Sequence, residues 1–287
     1  MSAEPGETGG APCGIDDVEI ALDAMQDHGA AGVGRGVRAG ERADGLLDRR
    51  VLIGPIDPCG ECDVCRRGGA AVCPHARRRD ALGATVIAAA RWLVPLDDGL
   101  ALPVPAAAAV AGDVALAYTL YARTGVGPRD PVVVVGECPI GRFLIEILRA
   151  KGIAPTALAS AGPWADWLRA RGVPAAADRA ALAAAFADQD CSGRPWRVLC
   201  ADPAAAATAA ALAGPRATLT VLAGAVALPG DLLSREVTVL GVAGPHPDLI
   251  VEVAAMCAKG EIDLLDGTRT VADRFRTQVR SVGERCA

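Results

Sequence analysis

A short strand–turn–helix pattern near the middle of the chain limits the possible folds most. The run Val132–Val135 is continuous and β-branched, which is typical of a strand buried on both faces. A glycine-containing turn follows, and apolar residues then recur at helical spacing: Phe143, Leu144, Ile147 and Leu148. Strand and helix patterns continue to alternate over residues 194–262. This alternation predicts an α/β fold built on a doubly wound parallel sheet.

The turn after this strand reads Gly136-Glu137-Cys138-Pro139-Ile140-Gly141, close to the Gly-x-Gly-x-x-Gly turn of dinucleotide-binding units. The middle glycine of that turn lets the backbone approach a pyrophosphate, and Cys138 replaces it here. The next strand ends near Ser160, where an NAD-binding unit carries an acid for the ribose hydroxyls. There is also no arginine beside Ser160 that would indicate binding of a 2′-phosphate. Two interpretations stay open: a fold that has lost its nucleotide site, or a working site formed by Gly136, Cys138, Ile140, Gly141 and Ser160.

A cysteine cluster, "PCGECDVCRRGGAAVC" at residues 58–73, predicts a metal site. Its two-residue gaps let a tight loop turn successive thiolates toward one point, and the longer gap lets the chain return to close a tetrahedron. Zinc accepts four thiolates at about 2.3 Å and then has no open position for a substrate. Disulfides or a redox pair are the alternatives, and a cytoplasmic setting disfavours disulfides. We therefore expect a structural zinc held by Cys59, Cys62, Cys65 and Cys73.

Composition narrows the functional classes. Apolar residues make up 52% and charged residues 22%, as in a globular chain. The net charge of −5 disfavours a nucleic-acid or anionic membrane partner. The first residues lack the basic start and apolar segment of a signal peptide. Residues 100–122 are apolar but contain two prolines and Asp113, so they indicate a buried segment and not a membrane span. We expect a cytoplasmic protein with no membrane or nucleic-acid partner.

Together these motifs resemble the zinc-containing medium-chain alcohol dehydrogenase (MDR) family. "DRRVLIGPIDPCGECDVC" is similar to the family's GDRV…PCGxCxxC passage, and "LGATVIAAARWLVPLDDGL" to a later family segment. "YARTGVGPRDPVVVVG" is similar to the approach to the nucleotide fold. The likeness extends from about Cys13 to about Arg274. The segments "LIGPIDPCGECDVCRRG" and "TGVGPRDPVVVVG" resemble the hydroxycyclohexene-carbonyl-CoA dehydrogenase branch.

The resemblance implies a shortened GroES-like catalytic domain split around a Rossmann domain. We place these domains at residues 1–104 and 105–245, and residues 246–287 complete the Rossmann domain and return to the catalytic one. The family implies NAD or NADP as cofactor, with hydride passing between nicotinamide and a small alcohol or carbonyl substrate in the interdomain cleft. Strands missing from the shortened domain would expose apolar surface, so we expect a homo-oligomer.

The resemblance also implies a second, catalytic zinc with three protein ligands. "APCGIDD" resembles the family's CxxD element, which puts Cys13 on the first ligand. "QDHGAAGVGRGV" resembles GHExxGxV, which puts His28 on the second. The third ligand falls around Ala111 or Gly112, which cannot bind a metal, and Asp113 is the nearest donor. Cys13, His28 and Asp113 are therefore the expected catalytic residues.

Several family features are replaced in this chain. Gly29 stands in the place of a glutamate, Ile15 stands where the proton-relay hydroxyl belongs, and Cys138 stands in the phosphate turn. These losses favour an alternative function: a catalytically inactive paralogue that serves as a binding or assembly subunit.

Overall fold

A computed structural model describes residues 13–26, 30–79, 83–96, 100, 102–187, 195–224, 228–264 and 279–281. Strands and helices are numbered below in chain order. The described residues form two six-stranded sheets, one antiparallel and one parallel, and a small two-stranded sheet. A long helix lies between the two large sheets and contacts both.

The antiparallel sheet has the strand order β14-β1-β2-β3-β7, and β6 also pairs with β1. Alternating buried positions along β1, with Val18, Ile20 and Leu22 facing the core, produce this strand and hold its register. The strands are β1 (Asp17–Gln26), β2 (Gly32–Ala39), β3 (Arg50–Ile53), β6 (Thr85–Ala89), β7 (Leu93–Pro95) and β14 (Val279–Ser281).

A small lobe extends from this sheet and contains the cysteine cluster. It consists of strands β4 (Ile56–Asp57) and β5 (Arg77–Arg78) and the short helix α1 (Asp63–Arg66). The Asp57 side chain is 4% exposed; it accepts hydrogen bonds from the Ala89 N–H at 3.0 Å and from the Arg79 guanidinium at 2.5 Å. Asp57 therefore ties the lobe to β6 of the main sheet.

The long helix Val104–Thr124 consists of α2 (Val104–Ala109), a π-helical turn (Val110–Val114) and α3 (Ala115–Thr124). By length and composition it could cross a membrane, but 72% of its most apolar window is buried inside the protein. It ends at Gly125, which has the left-handed φ of 62° that favours glycine at this position. Burial against both sheets therefore accounts for its apolar character.

The parallel sheet has the strand order β10-β9-β8-β11-β12-β13. Its strands are β8 (Val132–Val135), β9 (Pro155–Leu158), β10 (Ala175–Ala176), β11 (Arg197–Cys200), β12 (Thr218–Leu222) and β13 (Thr238–Val242). Helices connect or follow them: α4 (Pro139–Ala150), α5 (Pro163–Ala170), α6 (Arg179–Ala185), α7 (Ala206–Leu212) and α8 (Pro247–Ala258).

The central strand β8 is buried on both faces, as the sequence predicts. Val132 and Val134 belong to one apolar cluster, with Leu144 of α4. Val133 and Val135 belong to another, on the opposite face, with Leu182 of α6. Alternate valines thus hold helices on both sides of the sheet, which confirms the doubly wound arrangement.

We expect Asp57→Ala to lower the free energy of unfolding by about 3–5 kcal/mol, because Arg79 and the Ala89 N–H would stay buried without their acceptor. Chemical denaturation followed by circular dichroism measures this change. Arg42→Ala removes an exposed ion pair with Asp16 and is the control, with an expected loss of about 0–1 kcal/mol. Equal losses in the two variants would contradict the role given to Asp57.

Candidate functional site

The strand order of the parallel sheet reverses between β8 and β11. From β8 the chain continues to β9 on one side, whereas β11 is followed by β12 on the other. In open α/β sheets, ligands bind outside the carboxyl ends of the strands at such a switch point. A cavity of 390 Å³ opens there, lined by the turn after β8, by Ala201 and Asp202 after β11, and by Asp113 and Leu116 of the long helix.

In the glycine turn after β8, two glycines lie so close to neighbouring backbone atoms that a side chain would not fit. Gly136 has φ of +131°, and a Cβ on it would lie 3.0 Å from the Asp202 backbone nitrogen. A Cβ on Gly141 would lie 2.3 Å from the Gly136 carbonyl oxygen. Both positions therefore require glycine, since the first turn of α4 packs directly on the end of β8.

Cys138 occupies the middle position of the turn and immediately precedes α4. Its backbone is extended, with φ of −139° and ψ of 168°, and its side chain makes no capping hydrogen bond to the helix. The thiol lies 3.5 Å from the Ala201 carbonyl oxygen and lines the cavity. Burial raises the pKa of the Cys138 thiol, so the group adds no negative charge to the cavity.

Two carboxylates also line the cavity. Asp202 accepts a hydrogen bond from the Ala204 N–H at 2.9 Å and so caps the turn that leads into α7. Asp113 lies on the π-helical turn of the long helix, a kind of bulge that often marks functional sites. Asp202 is not among the residues predicted from the sequence, although an acid two residues after a buried strand of a parallel sheet is a usable signal.

The predicted cofactor residues divide into two groups in the structure. Cys138 and Ile140 line the cavity, and Gly136 and Gly141 shape the turn beside it. Ser160 lies on the neighbouring loop after β9, where its hydroxyl is 3.5 Å from a carboxylate oxygen of Glu137. This contact across the strand ends is not visible in the sequence.

The structure does not bring the expected ligands of a catalytic zinc together. Cys13 precedes β1, and its thiol lies 3.1 Å from the Asp17 carbonyl oxygen at the start of that strand. Gln26, at the far end of β1, approaches Gly112, next to Asp113. At about 3.3 Å per residue, the strand separates its two ends by roughly 30 Å. Cys13 therefore cannot bind the same metal ion as Asp113, and His28 lies outside the described residues.

The position of the expected third ligand is closed by Gln26. A Cβ placed on Gly112 would lie 1.7 Å from the side-chain Oε1 of Gln26. The glutamine amide thus occupies the space into which a metal ligand at residue 112 would project. Among the residues that the structure describes, three or more metal-binding side chains converge at one place, the cysteine cluster.

The four cysteines of the small lobe have the geometry of a tetrahedral metal site. Their sulfur atoms all lie within 4.8 Å of one another, with Cys73 3.6 Å from Cys59 and 3.9 Å from Cys62, and with Cys59 4.0 Å from Cys65. A zinc ion with bonds of about 2.3 Å places its sulfur ligands about 3.8 Å apart, so the cluster fits that ion.

The loop is built to hold these thiols before a metal binds. The backbone N–H groups of Glu61 and Cys62 lower the pKa of Cys59 to about 6. Desolvation, followed by hydrogen bonding to Cys73, raises the pKa of Cys65 to about 12. One thiolate is therefore present at neutral pH, and a metal must displace the proton of Cys65.

The cysteine lobe also contacts the parallel-sheet part of the chain. The His246 ring nitrogen Nε2 lies 2.9 Å from the Gly68 carbonyl oxygen, and the His246 backbone N–H donates to Thr119 of α3 at 2.9 Å. From the sequence, His246 between two prolines reads as an ordinary loop residue. Its contact with Gly68 joins the small lobe to the start of α8.

Comparisons with known proteins show the fold. No protein-family model matches the chain, and no curated protein matches it in sequence. Among solved structures, an alcohol dehydrogenase from Thermus sp. ATN1 is 17% identical with a TM-score of 0.77, covering 90% of this chain and 86% of that one. Galactitol-1-phosphate dehydrogenase from Escherichia coli is 16% identical with a TM-score of 0.73, covering 96% and 93%.

A third similar structure is a short chain alcohol dehydrogenase from E. coli CFT073 complexed with NADH, 17% identical with a TM-score of 0.73. The match covers 88% of this chain and 83% of that chain. These likenesses confirm the predicted architecture: the chain has the GroES-like and Rossmann fold of the zinc-type alcohol dehydrogenases.

We expect Cys73→Ser to lose about one equivalent of zinc per chain relative to the wild type, because a closed four-thiolate site tolerates no missing ligand. Cys73 is fully buried within the cluster. Inductively coupled plasma mass spectrometry of the purified protein gives the stoichiometry. Cys257→Ser alters a buried cysteine of α8 outside the cluster and is the control. A zinc content that Cys73→Ser leaves unchanged would contradict the assignment.

Proposed function

We propose that the protein is an NAD(P)-dependent oxidoreductase that transfers hydride between nicotinamide and a small alcohol or carbonyl compound. The observation that carries this proposal is the cavity at the switch point of the parallel sheet, bordered by a glycine turn. Solved dehydrogenases with this fold, among them one complexed with NADH, support it.

The turn fits a dinucleotide in shape. Gly136 and Gly141 keep the close approaches described above, and the N–H groups at the start of α4 have no side-chain cap, although those of Ile140 and Gly141 face the Cys138 sulfur. Uncapped N–H groups at a helix start attract a phosphate through hydrogen bonds and through the helix dipole. The N–H groups of Ile140 and Gly141 are therefore the groups that would hold the pyrophosphate.

Two of the three carboxylates near the turn have polar partners, whereas Asp113 lines the cavity and, with Asp202, places negative charge beside Cys138. Asp202 is engaged by the Ala204 N–H, and Glu137 faces Ser160. The Cys138 thiol stays neutral, but its Cβ stands where glycine would leave room. We therefore expect binding that is weaker than with a glycine at this position.

The zinc of the cysteine cluster and the proton-transfer group at the cavity have separate roles in this proposal. The cysteine cluster holds a zinc that stabilises the small lobe and takes no part in hydride transfer, because four thiolates fill its coordination sphere. At the cavity we propose Asp113 as the group that holds or moves the proton of the substrate oxygen. His28, which the resemblance gives as a zinc ligand, lies outside the described residues. Cys13 has no place at the cavity, since it lies at the other end of β1.

Hydride transfer itself is the chemistry of nicotinamide, and the protein supplies the position of the ring and of the substrate. Leu116, Leu222 and Val242 form an apolar part of the cavity lining. The domain boundaries, the cytoplasmic location and the homo-oligomer stay predictions from the sequence.

We expect Cys138→Gly to bind NADH about three to ten times more tightly than the wild type, because glycine lets the backbone approach the pyrophosphate. Titration followed by nicotinamide fluorescence or heat measures both constants. Cys138→Ala removes the sulfur but keeps Cβ, and its gain should be smaller. A loss of affinity in Cys138→Gly would place the pyrophosphate elsewhere, and a wild type that binds neither NADH nor NADPH would contradict the dehydrogenase proposal.

Once a screen of alcohols and aldehydes yields a substrate, we expect Asp113→Asn to lower kcat/KM by about a hundredfold, the usual size of a lost proton-transfer group. Steady-state absorbance of the nicotinamide gives the rate. Cys13→Ala is the matched control and should stay within about twofold of the wild type, because Cys13 lies far from the cavity. Loss of turnover in Cys13→Ala, with Asp113→Asn active, would reverse this assignment.

A further inference from the structure

The carboxylate of Glu137 and the hydroxyl of Ser160 meet at the carboxyl ends of adjacent parallel strands. Val135 of β8 pairs with Leu158 of β9, and each polar residue stands two positions beyond that pair. The Ser160 Oγ lies 3.5 Å from the Glu137 Oε1, and both residues are exposed. Two oxygen atoms at this spacing can both bind the hydroxyl groups of one ligand.

Ser160 stands at the end of the second strand of the βαβ unit, β9, and Glu137 lies beside it. In dinucleotide-binding folds, an acid at the end of the second strand accepts hydrogen bonds from the ribose hydroxyls. Ser160 holds that place here, and a serine carries no charge. The carboxylate reaches the same place from the neighbouring turn, since Glu137 directly precedes Cys138 of the cavity lining.

The charges nearby disfavour a ribose that carries a 2′-phosphate. The loop after β9, residues 159–163, reads Ala-Ser-Ala-Gly-Pro and contains no basic residue. Arg142, in the first turn of α4, has its guanidinium over the rings of Trp164 and Trp167 of α5, at 5.6 and 5.5 Å. A 2′-phosphate would therefore meet the Glu137 carboxylate without a cation from the loop that follows β9.

We propose that Glu137, with Ser160, binds the adenosine ribose diol and makes the site selective for NAD(H) over NADP(H). This inference rests on the proposed function and adds the cofactor preference to it. The carboxylate that reads the ribose has moved from the end of β9 to the glycine turn, and it faces the same ligand atoms from there.

The test compares dissociation constants for NADH and NADPH in four proteins by nicotinamide fluorescence. We expect the wild type to bind NADH at least about tenfold more tightly than NADPH, as charged hydrogen bonds to the diol and repulsion of the phosphate act in the same direction. Glu137→Gln should reduce that ratio to about threefold or less. The double variant Glu137→Gln with Ser160→Asp should restore it, since an acid returns to the end of β9.

Glu261→Gln is the matched control, because it neutralises an exposed carboxylate after α8 that lines no part of the cavity. It should keep the wild-type ratio. Equal or tighter binding of NADPH by the wild type, or an unchanged ratio in Glu137→Gln, would overturn the inference while leaving the dehydrogenase proposal intact. Failure of the wild type to bind either nucleotide would instead overturn the proposed function.

Discussion

The arrangement of the site depends on the close packing of α4 against the end of β8. Four consecutive valines bury β8 on both faces, so the strand cannot shift or rotate without exposing apolar surface. The chain must then reverse into a helix within three residues, which only glycine at 136 and 141 permits. This constraint fixes where the start of α4 points. Asp202, two residues after β11, is placed relative to it because β11 pairs with β8 in register.

The antiparallel part of the molecule depends on a different kind of constraint. Its small lobe has few apolar residues of its own, and helix α1 buries none. Tight coordination of four thiolates can replace a hydrophobic core in such a segment, because the free energy of metal binding becomes free energy of folding. Buried Asp57 then joins the lobe to β6, and His246 joins it to the start of α8. The small lobe is therefore a structural connection between the two large sheets.

How far the sequence predicts these features depends on how local each one is. The strand Val132–Val135, the glycine turn and the cysteine loop are each encoded within about twenty residues, and the structure contains the fold and the cysteine cluster as predicted. The second metal site needed residues from distant segments, and there a motif match misled. "APCGIDD" looks like a ligand element, but the nine residues of β1 that follow it separate Cys13 from the end of the strand that lies near Asp113. A short motif gives no information about how a strand directs the chain after it.

The contact between Glu137 and Ser160, which sequence reasoning missed, joins side chains that follow two parallel strands ending at the same edge of the sheet. Taken alone, Ser160 indicates a nucleotide-binding fold that lacks its ribose-binding acid. Taken alone, Glu137 places a negative charge beside the phosphates of the expected dinucleotide. In the structure the two residues lie together, with the Glu137 carboxylate 3.5 Å from the Ser160 hydroxyl. Asp202 is engaged locally, by the Ala204 N–H two residues along the chain. On the proposal made above, the dinucleotide motif keeps its acid but at a different position, because Glu137 of the glycine turn takes the part that Ser160 at the end of β9 does not fill.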